Sequence, residues 1–516
     1  MRFLKVNEKK IVIILLSILL LQSLLSIPVT SPTYDESHHS TASHYYLRTG
    51  NYTFDVEHPP LKTIAALPLL FYNFSTPKCF LCTDIYGDKY ESALFFPRII
   101  ILIFSLILGF FVYLWAKRLF SVEAGLMALF FYVFDPNILA HSRLFTTDII
   151  GASLIFISAF YFWAFLKDAS WRNAFFVGIT FGLALIAKFT AILLVPAYLI
   201  FLVIFLICNS IRLDRRSAKL VIEKLFIILA ASLLIVNSAY LFVGTFTRFG
   251  DYNFGSSMKG LQNTFTNLVP LPLPKYFVEG LDVAKTHSET DHFGWYAFLM
   301  GEHQIKGWWY YFIIAFLIKT PISTLLLFLL FISLFFLCRF YRNPDYYFLL
   351  VPVALFMFIF SFFTHVNIGL RYILPVYPFI FVAIGSLYNF FVKNRFGSDV
   401  LILLLMFYLI SAISIFPHHL AYFNELIGGP KNGYNYLIDS NLEWGQNDRL
   451  VDEYVKATGA IKNPGCNPVT GIIVVDANNL HGIFDRSHIM CYKWLRNNYN
   501  PIDYIGYSWL VYNTTI

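Results

Sequence analysis

Eleven largely apolar runs, most of them near the ~20 residues a helix needs to cross a bilayer, punctuate this 516-residue chain at about 11–27, 97–115, 122–140, 147–166, 174–187, 189–207, 224–243, 308–338, 346–363, 372–391 and 399–416. Hydrocarbon offers no water to backbone N–H and C=O groups, so a run of this kind has one local solution, the α-helix. Composition agrees: 58% of residues are hydrophobic and 13% charged, against roughly 25% charged in ordinary globular chains. The expected fold class is an all-α polytopic membrane protein with about eleven transmembrane helices. The net charge of +7 comes from Lys and Arg scattered between the runs, without the dense basic cluster that nucleic acid binding requires. The first run follows Arg2, Lys5, Lys9 and Lys10, and no small-x-small cleavage site comes after it. It therefore reads as a span entering from the cytoplasm and not as a cleaved signal.

Lys and Arg concentrate in cytoplasmic loops. With the N-terminus inside, seventeen of them flank the inner span ends, whereas only Arg143, Lys188 and Arg371 fall at short outer turns. Three longer polar segments, 28–96, 244–307 and 417–516, then face outward, and the three Asn-x-Ser/Thr triplets at Asn51, Asn73 and Asn513 all lie in them. Residues 1–416 read as a membrane domain carrying the first two segments as outer loops. Residues 61–74 read as a helix along the outer interface. Residues 417–516 read as a small extracytoplasmic α/β region, with NDRLVDEYVKATG helical and GIIVVDA and YIGYSWLVY as strands. Six cysteines exclude a disulfide scaffold. Cys466 and Cys491 could pair in the outer tail, and the single CxxC of Cys79 and Cys82 reads as a local disulfide or two thiols, since zinc would need more ligands.

The first outer loop is the densest polar cluster: Tyr34, Asp35, Glu36, His38, His39, His44, Arg48, Asp55, Glu57 and His58. Asp35 and Glu36 stand just past the first span, where one could act as base toward a hydroxyl; acidic residues also favour a first helical turn. Asp148 begins a span, and ionisable groups at membrane depth face polar cavities by default, with a helix cap as the alternative. Lys188 and Arg371 are outer-side cations in apolar surroundings. Each could snorkel to headgroups or hold a phosphate, Arg371 by a bidentate contact.

Tyr34-Asp35-Glu36, followed by Glu57-His58-Pro59-Pro60-Leu61, resembles the first outer loop of the GT-C class of lipid-carrier-dependent glycosyltransferases, the group of protein O-mannosyltransferases and the lipid A aminoarabinose transferase. His141-Ser142-Arg143 through Asp148, GLALIAKFTAILLVP around Lys188, Arg371-Tyr372 with Leu374-Pro375, and the tail AYFNELIGGPKNGYNYLIDSNLEWGQ extend the likeness over nearly the whole chain. The resemblance implies transfer of one sugar, mannose-like in the related enzymes, from a polyprenyl or dolichyl phosphate carrier to an acceptor hydroxyl on protein, lipid or glycan. The reaction would invert the anomeric carbon on the outer face. It implies Asp35 as the catalytic base, with Glu36 and Asp148 positioning it or the acceptor. Arg371, Lys188, Arg143 and His58 would bind the carrier phosphate. One departure is plain: 244–307 is too short for the β-trefoil domain of protein O-mannosyltransferases, which puts a protein acceptor in question. A divalent cation is a candidate cofactor, held by Glu57 and His58 with His292, or with His287 or His303. The rival class is a polytopic transporter, but here the charges cluster at one face and the two halves do not match.

Overall fold

The computed structural model describes residues 2–72, 90–208, 215–262, 268–290, 296–338, 343–484 and 488–515. His292, Cys79 and Cys82 lie outside them. Six helices are long and apolar enough to cross a membrane: Asn7–Val29, Tyr90–Leu119, Asp148–Lys167, Phe189–Ile207, Pro344–Phe362 and Arg395–Ser414. A seventh exists only as the pair Tyr311–Lys319 and Ile322–Leu337, bent by 117°. The run 308–338 is therefore not one rod. Thr320 is extended at φ −96°, ψ 133°, because Pro321 disfavours the helical region for the residue before it and cannot donate to the helix.

The other expected spans fall on shorter or less apolar helices. The run 122–140 divides into Val122–Val133 and Pro136–His141. Its break is written in Asp135-Pro136, since the Asp135 carboxylate caps the second helix from 2.9 and 3.0 Å at the N–H groups of Asn137 and Ile138. The run 372–391 becomes Val376–Gly385 and Tyr388–Phe391. By length and apolarity, six or seven spans stand among the described residues where eleven were expected. Close helix contacts rely on small residues. A Cβ on Gly178 would lie 2.8 Å from the Ile228 carbonyl oxygen, so Trp171–Leu185 and Arg215–Ala239 approach backbone to backbone there.

Past the first span the chain turns at Ile27–Val29 and starts the helix Tyr34–Thr49 with a reciprocal capping box between Thr33 and Glu36. The helix expected at 61–74 is present as the short apolar helix Pro60–Phe71, α-helical over Thr63–Ala66 and 3-10 on either side; residues 73 and 74 lie outside the described residues. Pro68 is accommodated in the first turn of its 3-10 end. Towards the C-terminus, strands Ile461–Lys462, Ile472–Asp476, Trp509–Asn513 and Asp503–Ile505 form a four-stranded sheet in that order. The helix Asp448–Thr458 packs Val451 against Val474, Trp509 and Val511, and Cys466 is disulfide-bonded to Cys491. The loop before that helix descends onto the start of Tyr34–Thr49: Tyr34 N donates to Trp444 O and Ser31 N to Gln446 O, each at 2.9 Å. That docking makes the site.

Candidate functional site

Four charged side chains from four distant segments meet above the apolar helices. Asp35 projects from the first turn of Tyr34–Thr49, and Asp148 from the first turn of Asp148–Lys167. Arg371 sits in the short turn Leu370–Ile373, and Lys188 in the residue before Phe189–Leu193. Arg371 Nη1 donates to Asp35 Oδ2 at 2.5 Å and stands 4.0 Å from Asp148 Oδ2. Lys188 Nζ donates to Asp148 Oδ1 at 2.6 Å, and Thr146 Oγ1 to Asp148 Oδ2 at 3.0 Å. His141 Nδ1 lies 3.7 Å from the same oxygen. Two carboxylates and two cations balance, which is how charges at such depth are tolerated.

Aromatic faces complete the enclosure. The Arg371 guanidinium lies 4.3 Å from the Trp444 ring centroid and 5.4 Å from that of Tyr372, which Lys188 Nζ also approaches to 5.4 Å. Trp444 Nε1 donates to Asp35 Oδ1 at 3.3 Å. Lys188 reaches the cluster because Gly151 leaves room, since a Cβ there would fall 2.8 Å from Lys188 Cβ. The guanidinium is not saturated. Arg371 Nε is buried and has no hydrogen-bond partner among the described residues.

Glu36, the neighbour of Asp35, has a different task. Its side chain is fully buried and accepts from Arg98 Nε and Nη2 at 2.8 and 2.7 Å, from Thr33 N at 2.9 Å and from Phe145 N at 2.8 Å. Burial alone would raise its pKa, but the guanidinium and the backbone donors hold it below the ordinary carboxylate range. Arg98 continues to the carbonyls of Thr30 and Ser31 at 3.1 Å each, so the pair fixes the turn that presents Asp35. Arg143 likewise donates to the carbonyls of Ser26 and Pro417 at 2.7 and 2.9 Å. It staples the end of the first span to the start of the C-terminal region.

His58 belongs to a second cluster. Asp55 Oδ1 is 3.0 Å from His58 Nδ1, Asp55 Oδ2 is 3.4 Å from His38 Nε2, and the buried Lys62 ammonium bonds Asp55 and lies 3.1 Å from His39 Nδ1. Burial, opposed by Asp55, lowers the pKa of Lys62; burial and the Lys62 charge hold His39 well below its ordinary value. One ligand atom each of His38, His39, Asp55 and His58 lies within 4.8 Å of the others. However, the Lys62 ammonium already stands between Asp55 and His39, so the set does not fit a divalent ion while that cation is there. Glu57 pairs with His287 at 2.9 Å. His303 Nε2 lies 2.7 Å from the His481 carbonyl oxygen.

Trp444, Lys62 and Arg98 went unmarked in the sequence. Arg98 follows Pro97 at the head of an apolar run and carried the same signal as Asp148, an ionisable group at membrane depth. For Trp444, 409 residues from Asp35, no spacing could have made the link.

Comparison with known proteins bears on the fold. Residues 80–237 match the family model described as dolichyl-phosphate-mannose-protein mannosyltransferase. No curated protein matches the chain in sequence. Among solved structures, ArnT from Cupriavidus metallidurans in the apo state aligns with a TM-score of 0.50 at 13% identity, over 80% of this chain and 69% of that one. The same protein bound to undecaprenyl phosphate gives 0.49 at 12%, over 97% of each. The oligosaccharyltransferase of Archaeoglobus fulgidus in the apo form gives 0.45 at 14%, over 78% of this chain and 54% of that one. The resemblance to GT-C lipid-carrier-dependent glycosyltransferases read from the sequence is thus matched by a family model and, in the apo ArnT structure, by a shared fold.

Proposed function

We propose that this protein is a multi-pass membrane glycosyltransferase that moves a single sugar from a polyprenyl or dolichyl phosphate carrier to an acceptor hydroxyl, with inversion, on the outer face of the membrane. The shorter helices complete the crossings up to eleven, and 417–516 sits over the membrane domain of 1–416. The observation that carries this reading is the Asp35–Arg371 pair with an unsatisfied Arg371 Nε beside it. A proton acceptor and an anion-binding fork stand together at the membrane edge, where a polyprenyl tail can stay in lipid while its phosphosugar head enters.

In the step itself the acceptor oxygen attacks the anomeric carbon, its proton passes to the Asp35 carboxylate, and the bond from the anomeric carbon to the phosphate oxygen breaks. The phosphate leaves with the electron pair. Arg371, with Lys188 behind it, meets the charge developing on that oxygen. Asp148 holds both cations in position, and Glu36 with Arg98 presents Asp35. A phosphate-cradling glycine loop is not needed, since no nucleotide is bound.

The test is release of carrier phosphate from a panel of polyprenyl-phosphate sugars by purified wild type, Arg371→Lys and Arg371→Ala. Lys keeps the charge but loses the planar fork, so donor kcat/KM should fall by about tenfold in Lys and further in Ala. Equal kcat/KM for Lys and Arg would remove Arg371 from phosphate binding, and no turnover of any donor by wild type would refute the transferase reading.

A further inference from the structure

The apolar run 224–243 outlasts its helix. Arg215–Ala239 ends four residues earlier, and Leu241, Phe242 and Val243 continue into a tight loop at 60%, 54% and 41% exposure, followed by Phe246 at 64%. Large apolar side chains exposed together in this way mark a surface that meets a partner or a membrane. The transfer chemistry assigned to Asp35 and Arg371 uses none of them.

The loop is firmly held. Leu241, Phe242 and Phe246 lie in the left-handed region at φ 54°, 56° and 67°, a conformation that bulky side chains adopt only where the surroundings impose it. Asn237 imposes it here. Its carbonyl oxygen accepts from Phe242 N at 2.8 Å and its Oδ1 from Thr245 Oγ1 at 2.6 Å, while its Nδ2 donates to the carbonyls of Leu233 and Pro272 at 2.8 and 3.0 Å. Phe246 N donates to Leu271 O at 2.8 Å, and Lys275 N to Val243 O at 2.9 Å. The loop closes against Lys275 at Gly244, φ +66°, where a Cβ would fall 2.6 Å from Lys275 Cβ. Seven of the eight backbone N–H groups of residues 240–247 thus donate within the chain. Water would satisfy such a loop unaided. A backbone satisfied internally beneath outward apolar side chains is what hydrocarbon demands.

What covers the patch follows from its surroundings. Phe226, Leu229 and Leu234 are exposed along one face of the preceding helix, and Leu241 carries that face onward, so the patch continues the surface that meets acyl chains on the eleven-crossing reading above. Arg248 is exposed two residues past Phe246, and the Lys275 side chain is 48% exposed at the base of the loop. Cations just behind an apolar tip suit headgroup phosphates, with their stems along the apolar surface. The loop also stands on the same side as the charged cluster. The Tyr46 hydroxyl, on the helix that carries Asp35, donates to Ala239 O at 2.9 Å, and the Tyr52 ring lies 4.9 Å from those of both Tyr46 and Tyr240.

We infer that residues 241–246 form a lipid-embedded hairpin, with Leu241, Phe242, Val243 and Phe246 among the acyl chains of the leaflet next to the site and Arg248 and Lys275 at its phosphates. Through Tyr46 the hairpin fixes the height of the helix Tyr34–Thr49 against the headgroups. The inference rests on the reading that Arg215–Ala239 crosses the membrane.

Spin-label accessibility on the full chain in bilayers of phosphatidylcholine and phosphatidylglycerol tests it. With Cys79, Cys82, Cys208 and Cys338 replaced by Ser, a nitroxide is attached in turn through Phe242→Cys, Phe246→Cys, Leu229→Cys on the helix face and Asn498→Cys on the C-terminal region. Relaxation by oxygen, which concentrates in hydrocarbon, is compared with relaxation by a water-soluble nickel chelate. The oxygen-to-nickel ratio at 242 and 246 should stand several-fold above that at 498 and approach that at 229. Cysteine adds no Cβ that Phe lacks, and each position reports without the other should one variant fail to fold. Nickel-dominated relaxation at 242 and 246 with oxygen dominant at 229 overturns the hairpin and leaves the crossing intact. Protection from both reagents at 242 and 246 means that a segment of the chain or a second copy covers the loop, and equally overturns it. Nickel-dominated relaxation at 229 overturns the crossing itself, and with it the reading on which the hairpin rests.

Discussion

Adjacent carboxylates Asp35 and Glu36 should answer to substitution in opposite ways. Glu36→Gln keeps the shape of a side chain that accepts four charge-bearing or backbone hydrogen bonds from Arg98, Thr33 and Phe145 in a site with no exposure. The amide has one acceptor oxygen instead of two, so at least one donor faces an NH2 group, which costs about 1–3 kcal/mol. The larger loss is the charge: Arg98 stays buried at 4% side-chain exposure without its counter-ion, and breaking a buried pair costs about 3–5 kcal/mol. Thermal unfolding in detergent should therefore fall by several degrees, since 1 kcal/mol moves the midpoint by about 2–4 °C in domains of 150–250 residues. Because the cost is an orphaned cation, Glu36→Gln combined with Arg98→Met should be more stable than Glu36→Gln alone. Asp35→Asn should lower the midpoint less than Glu36→Gln, because Asp35 is 21% exposed at the cluster edge and Asp148 stays 4.0 Å from Arg371, yet reduce transfer by about 10² or more, as loss of a general base does. A Glu36→Gln protein with an unaltered midpoint and abolished transfer would refute the division of roles and make Glu36 the reacting carboxylate.

Gly151→Ala places a Cβ 2.8 Å from Lys188 Cβ, so it should displace Lys188 from Asp148 and lower carrier-phosphate release about tenfold, with donor KM rising; unchanged kinetics would show that Lys188 is not needed where it stands. Burial first, and then Asp476, raise the Glu443 pKa to about 8, so between the ordinary carboxylate value and about 8 the folded state holds a proton that the unfolded chain releases. That contribution is fully present below the unfolded value and is lost as pH rises towards 8; Glu443→Gln should flatten the fall in unfolding midpoint between pH 5 and 8.5, and a slope equal to wild type would remove Glu443 as its source. For topology, with Cys79, Cys82, Cys208 and Cys338 replaced by Ser, a cysteine at Asn498 should react with an impermeant thiol reagent on intact cells and one at Lys393 should not; the reverse pattern would invert the orientation.

Asp35, Asp148, Arg371 and Lys188 were legible because a charge in apolar sequence at a membrane edge is costly and calls for a partner. The pairing was not legible. Asp35 and Arg371 are 336 residues apart, and no periodicity carries a register across that distance. The partner of Glu36 was hidden for the same reason, since its counter-ion Arg98 lay unmarked at the head of the run 97–115. Arg143 and His58 shared the sign and placement of phosphate ligands, but their partners, two backbone carbonyls and Asp55, could be identified only after folding. Helix existence followed from apolarity, whereas the breaks at Asp135-Pro136 and Thr320-Pro321 were present as local proline and capping signals that an overall hydropathy reading averages away.

A neutral cluster of two carboxylates and two cations takes up a phosphate only by dividing its cations anew, and exposure indicates which pair divides. Asp148 is 3% exposed and holds Lys188 at 2.6 Å with Thr146 as a further donor, so that pair stays closed. Asp35 is 21% exposed, and its Arg371 partner keeps a buried Nε without a bond among the described residues. On the proposed reading the carrier phosphate enters on the Asp35 side and shares the guanidinium, which the Trp444 face and the 4.0 Å contact to Asp148 keep from following the ligand. Asp148 is thereby a positioning residue that touches neither sugar nor acceptor. Asp35, relieved of part of its cation as the donor binds, faces the acceptor hydroxyl only when the leaving group is in place, and that order keeps the carboxylate engaged with Arg371 until a donor is bound.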